Sequence, residues 1–209
     1  MQYEATIKVW DIGVRVFHWS LVAFFAIAYI TGEIETEDLH AFAGYVIIGL
    51  LAFRFIWGLI GTRYARFADF IYSPAEIIAY LKGLIARHPK HYFGHNPAGG
   101  LMVIIMLVVL VAISWTGLEL YAVEGHGPLA RAELSLAAPV QANGMENDDE
   151  HEGMESEEEE FWEEVHEASV YFMLLLIALH VAGVVVSSII HGENLVHAMV
   201  TGRKPKPLE

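Results

Sequence analysis

The chain contains no cysteine. That excludes structural disulfides, Cys-ligated iron–sulfur clusters and covalent haem attachment through C-x-x-C-H. Any cofactor must then be held by His, Met, carboxylates or packing. Charge is also scarce, at 18% of the 209 residues against 55% hydrophobic, and the mean hydropathy is +0.43. A soluble domain of this size is rarely so apolar. Continuous apolar runs of membrane-spanning length place the chain among integral membrane proteins. The first of those runs lacks a small-residue cleavage motif, so no cleavable signal peptide is expected. No nucleic-acid partner is expected either.

The runs predict four spans, at about residues 14–30, 40–60, 97–121 and 162–191, in one membrane domain covering residues 1–209. Residues 1–13 read as a short polar lead-in, and the tail from Arg203 to Glu209 as basic and disordered. Between spans two and three, Ser73 to Ala86 has an N-cap Ser, a Pro at the first helical position and helical apolar spacing. It reads as an amphipathic helix at the membrane surface.

Charge of one sign is missing from one side. Lys8, Arg15, Arg54, Arg63, Arg66, Lys82, Arg87, Lys90, Arg203, Lys204 and Lys206 fall on one set of span ends or loops, and Arg131 alone falls on the other. The positive-inside rule then gives an all-α, four-helix transmembrane bundle with both termini in the cytoplasm. The net charge of −14 is concentrated in the extracytoplasmic loop, residues 122–160, and its continuation. Half of the 26 acidic residues lie between Glu146 and Glu167. The bland reading is a solvated, self-repelling segment. Sharper readings are a landing site for a basic periplasmic electron carrier such as a c-type cytochrome, or weak divalent-metal binding by the carboxylates with His151.

Imidazole inside a span is costly without a partner and reads as functional. His166 and His180 sit fourteen residues apart in span four, which puts them about 21 Å apart and within about 40° of one helix face. His18, near the inner end of span one, matches His180 in depth. His40, at the outer start of span two, matches His166. Two pairs at two levels can ligate two haem irons, each through two axial imidazoles. Bis-His iron has no open position, which suits electron transfer and not oxygen chemistry. Arg15 and Arg54 are candidates for the inner haem's propionates, with snorkelling to the interface as the alternative. Gly44, Gly49 and Gly183 stand where a porphyrin could approach a helix, or where helices pack closely. Span three has no histidine, and its Met102 and Met106 read as packing. His88, His91 and His95 read as solvated loop residues.

VWDIGVRVFHWSLV around His18, LHAFAGYVIIGLLAFRFIWGLIGTRYARF from Leu39, GHNPAGG at residues 94–100 and the His166/His180 pair carry a family likeness. Together they resemble the bacterial di-haem cytochrome b561 family and the b-type cytochrome subunits of nickel–iron hydrogenases. The resemblance covers nearly the whole chain except residues 122–160. It implies a multi-pass cytochrome of the bacterial inner membrane with two b haems, lipid-embedded, exchanging electrons between a quinone or quinol and a protein partner. His18, His40, His166 and His180 match the family's haem ligands. A quinol:cytochrome c oxidoreductase-like activity follows from that reading. One alternative is a membrane anchor for a hydrogenase or dehydrogenase. Another, of a different class, is a metal or proton transporter using the histidines as a relay.

Overall fold

The structure, a computed structural model, describes residues 3–86, 88–130 and 148–207, with the side chains of residues 6–86, 88–130 and 157–205. Four helices are long and apolar enough to cross a membrane: α1 (Ile12–Glu33), α2 (Glu37–Ile60), α4 (Pro97–Val123) and the Glu157–His191 part of α5 (Asp148–His191). Two shorter helices, α3 (Pro74–Ile85) and α6 (Leu195–Thr201), and two strands, β1 (Tyr3–Lys8) and β2 (Arg203–Pro207), complete the elements used below. The protein is therefore a helical integral membrane protein. Large apolar side chains such as Ile12, Leu59, Ile60 and Ile189 are 65–74% exposed, as lipid-facing positions require.

Three of the helix starts have a local cause. The Asp11 carboxylate accepts from the Val14 amide and caps α1. Ser73 and Glu76 form a capping box on α3, with Pro74 at the first position. Asn96 accepts from the Gly99 amide ahead of α4, and Pro97 fills a position that needs no N–H.

The termini overturn the expectation of a polar lead-in and a disordered tail. β1 and β2 pair antiparallel, with Ile7 opposite Lys204 and Lys8 opposite Arg203. Charge and proline in the tail do not prevent this, because a two-stranded ribbon has two edges that need no further donors. Gly202 makes the turn into β2. Its φ is +79°, and its carbonyl accepts from the Val9 and Trp10 amides at 2.9 and 3.1 Å. A Cβ there would lie 2.5 Å from the Trp10 carbonyl oxygen. Beneath the ribbon, Val9, Trp10, Val14, Ala65 and Ala198 form a buried cluster.

The contacts divide the chain into two compact units, residues 1–108 with 174–209, and residues 109–173. In the first, α1 and α2 form a helical hairpin. Gly100 lets α4 approach the Phe70 carbonyl, which a Cβ would meet at 2.3 Å. The second unit holds the later part of α4 and the earlier part of α5.

α5 starts at Asp148, well before the expected start near residue 162, so residues 148–160 of the acidic segment are helical. Glutamate has good helix propensity, and carboxylates near a helix N-terminus are favoured by the macrodipole. The rest of that segment that lies within 131–147, together with Arg87, Arg131 and the His151 side chain, falls outside the described residues.

Candidate functional site

The four span histidines are on three helices: His18 on α1, His40 on α2, His166 and His180 on α5. His18 and His180 belong to the first unit and lie within electrostatic range of each other. The Nδ1 of His18 is buried with no hydrogen-bond partner among the described residues. His40 lies in the first unit and His166 in the second, and each is described by its own surroundings.

His40 Nδ1 is 2.9 Å from the Ala28 carbonyl oxygen across the α1–α2 hairpin. A carbonyl only accepts, so the proton is on Nδ1 and the lone pair on Nε2. Gly32 packs against this ring, and a Cβ on it would lie 3.2 Å from Nδ1. His166 Nδ1 is 3.0 Å from Thr116 Oγ1 on α4. When the Thr116 hydroxyl gives its one proton to the Ile113 carbonyl, 3.1 Å away, it accepts from His166 Nδ1. The same tautomer follows, with the lone pair on Nε2. Gly117 is flush with the ring, since a Cβ would lie 3.0 Å from Cε1. Holding one imidazole nitrogen with an acceptor is how a protein orients a histidine to bind metal through the other. Span three, which has no histidine, thus contributes Thr116 and Gly117. Gly32, Thr116 and Gly117 were not legible as site residues. A Thr-Gly pair in an apolar run was the available signal, and it is weak without the partner helix.

Arg54 is buried at 3% exposure, which excludes simple snorkelling. It donates to the Ala65 carbonyl at 3.0 Å, and its guanidinium lies over the Phe67 ring at 4.7 Å. Arg15 donates to the Val200 carbonyl, while its Nε is buried and unpartnered.

The loop histidines depart from expectation. His88 is exposed, but His91 bonds Glu193 at 2.6 Å, and the other oxygen of that carboxylate pairs with buried Lys204 at 3.2 Å. His95 is not solvated. Its ring packs between Trp10 and Phe70, with centroids at 4.7 and 4.6 Å, and Tyr72 donates to its carbonyl. Burial first, then the charges of Arg54, Lys204 and His180, push its pKa down to about 3. It is therefore neutral at physiological pH. Its burial comes from non-local packing, which a loop position in a sequence does not announce.

Among the described residues no group of three or more His, Cys, Asp or Glu could hold a bare metal ion. Haem iron needs only two protein ligands, because the porphyrin supplies four nitrogens, so the neighbouring His18 and His180 suit it. The glycines agree with a flat cofactor. A Cβ on Gly44, Gly49 or Gly183 would meet no protein atom within 4 Å, so helix–helix contact does not require these glycines.

Four membrane-crossing helices, three of them bearing imidazoles, define a membrane protein of the haem-carrying class. The chain belongs to the prokaryotic cytochrome b561 family, whose model matches residues 9–202. It is a transmembrane b-type cytochrome, and electron transport on haem b is its work. A probable Ni/Fe-hydrogenase B-type cytochrome subunit of Azotobacter vinelandii is 25% identical, over 95% of this chain and 88% of that protein. Proteins with the same description from Azotobacter chroococcum and Bradyrhizobium diazoefficiens are 24% and 22% identical over 95% of the chain. No solved structure matches.

Proposed function

We propose that this cytochrome holds two b haems, one between His18 and His180 and one between His40 and His166, and connects a quinone in the bacterial inner membrane with a redox protein. The observation that carries this is the approach of His18 to His180 from two separate spans. The acceptors on His40 and His166 support the second pair. Bound haem supplies one-electron chemistry at iron whose two axial positions are filled by imidazole. The chain's own part is to fix each ring's tautomer, exclude water through the apolar spans, and set the local charge around each level. With the basic residues inside, both termini are cytoplasmic.

The test is a vesicle assay. Purified protein is placed in liposomes with ferricyanide trapped inside, and a quinol is added outside. Trapped ferricyanide should be reduced by the wild type, and His180→Ala should abolish this. Equal rates with and without the protein would reject a transmembrane path.

Glu157, Glu158, Glu159 and Glu160 are exposed on the early turns of α5. They fit a landing surface for a basic, extracytoplasmic c-type cytochrome, where charge acts mainly on the association rate. Changing all four to Gln should slow electron transfer to such an acceptor about tenfold at low salt and leave haem content unchanged. A rate insensitive to both the change and ionic strength would reject the docking role.

The relatives' names favour a second reading, in which the chain anchors a hydrogenase and exchanges electrons with its iron–sulfur subunit. Gentle solubilisation separates the two readings: the anchor should co-purify with the enzyme, and the free carrier should come out alone. Nothing in the comparisons supports the transporter alternative.

A further inference from the structure

We propose that His95 and Arg15 together bind a propionate of the haem held by His18 and His180. The inference rests on the two-haem reading above. Its starting point is three of the four buried polar side-chain atoms that lack a hydrogen-bond partner among the described residues: Arg15 Nε, His18 Nδ1 and His95 Nδ1, the fourth being Tyr80 Oη. A buried donor left unmade costs about 1–3 kcal/mol, so such atoms should be few and scattered. These three belong to the first unit, and neighbouring residues link them.

The contacts close on themselves. Arg15 and His18 are three residues apart on α1 and so share a face. His18 lies within electrostatic range of His180, and His180 within range of His95. The His95 ring packs at a tilt against Trp10. The Trp10 amide bonds the Gly202 carbonyl, and the Arg15 side chain lies 3.3 Å from where a Gly202 Cβ would stand. One guanidinium N–H and, in its Nδ1–H tautomer, one imidazole N–H therefore stand beside the two proposed ligands. Two donors with a positive charge call for a carboxylate. A haem with iron between His18 and His180 brings that group with it.

The geometry also distinguishes the two arginines. Arg54 is committed to the Ala65 carbonyl and the Phe67 ring, whereas Arg15 keeps a buried N–H to give. His95 is held by rings on both sides and by Tyr72 at its carbonyl, so its Nδ1 is aimed before any cofactor arrives. His95 acts here as a neutral positioning residue, not as an iron ligand.

The experiment is a spectroelectrochemical titration of the purified cytochrome, with resonance Raman spectra of the propionate bending modes. His95→Phe keeps an aromatic ring between Trp10 and Phe70 and removes the donor. A propionate less well neutralised favours ferric iron, so one midpoint should fall. The expected size is about a tenfold change in the reduced-to-oxidised ratio at fixed potential, or 59 mV for one electron. The midpoint that moves should be the one lost in His180→Ala, and its propionate mode should shift with it. His95→Asn, whose amide N–H reaches close to the Nδ1 position, should restore most of the midpoint. If His95→Phe does not assemble, Arg15→Lys carries the test, because it keeps the charge and lacks Nε. It should lower the same midpoint.

Two unchanged midpoints and propionate modes in a fully loaded His95→Phe or Arg15→Lys protein would overturn the proposal and leave the two-haem reading standing. A shift in the other haem alone would also overturn it. If His180→Ala lost neither haem, the parent reading would fail first and this one with it.

Discussion

His180→Ala should remove one b haem and leave the other, halving the haem per chain in a pyridine haemochromogen assay. The substitution takes away one of the two imidazoles that α1 and α5 bring together, and Ala offers nothing to iron. His166→Ala should remove the complementary haem, so the two variants should each keep the midpoint that the other loses. Thr116→Val tests the same level more gently. It is nearly isosteric, keeps His166, and removes the acceptor that sets the ring's tautomer. Losing such an outer partner typically weakens metal binding by 10–100-fold, so the second haem should dissociate more readily. Loss of neither haem in His180→Ala, or of both in each variant with the chain still folded, would break the pairing.

Asp11→Ala should cost about 3 kcal/mol of stability, because several donors converge on one buried carboxylate. Asp11 is 5% exposed. It accepts from the Val14 amide at 3.0 Å, from the Trp57 indole N–H at 3.1 Å and from the Thr62 hydroxyl. It thus caps α1 and ties that helix to the end of α2. Burial alone would raise its pKa. The hydrogen bonds of Thr62, Val14, Trp57 and Gly13 outweigh that and hold it below its ordinary value of 3.8. The sign of the linkage follows. A carboxyl group with a depressed folded-state pKa contributes stability at neutral pH and loses it as pH falls from about 4 through the folded value. Thermal unfolding in detergent, followed at the haem Soret band, should show a lower midpoint for Asp11→Ala at pH 7. The gap to wild type should narrow as the medium is acidified below pH 4. An unchanged midpoint at pH 7 would contradict the role assigned to this residue.

The four spans were legible because a bilayer demands about twenty apolar residues in a row, and that demand is local in sequence. The capping box at Ser73 was legible for the same reason, since its partners are three residues apart. The histidine set could be sorted by depth from topology alone. What the sequence hid is non-local. β1 and β2 meet across nearly two hundred residues, and a short strand of Arg, Lys and Pro looks like a tail until its partner is known. His95 looked solvated because loops usually are, yet Trp10 and Phe70 from distant parts of the chain enclose it. Thr116 and Gly117 became meaningful only when α5 was seen beside them. Arg54 was legible as a cation within span two, open to a propionate or to snorkelling, but its burial and its commitment to Ala65 and Phe67 were not.

The central claim is that four imidazoles hold two irons, each ligated on both axial faces. Haem b per chain in the purified wild-type protein, with low-temperature electron paramagnetic resonance of the oxidised form, measures this most directly. The account predicts two haems and two low-spin ferric signals, with no high-spin signal from an open axial position. A single haem, or a colourless protein, or a predominantly high-spin spectrum from intact material, would contradict it.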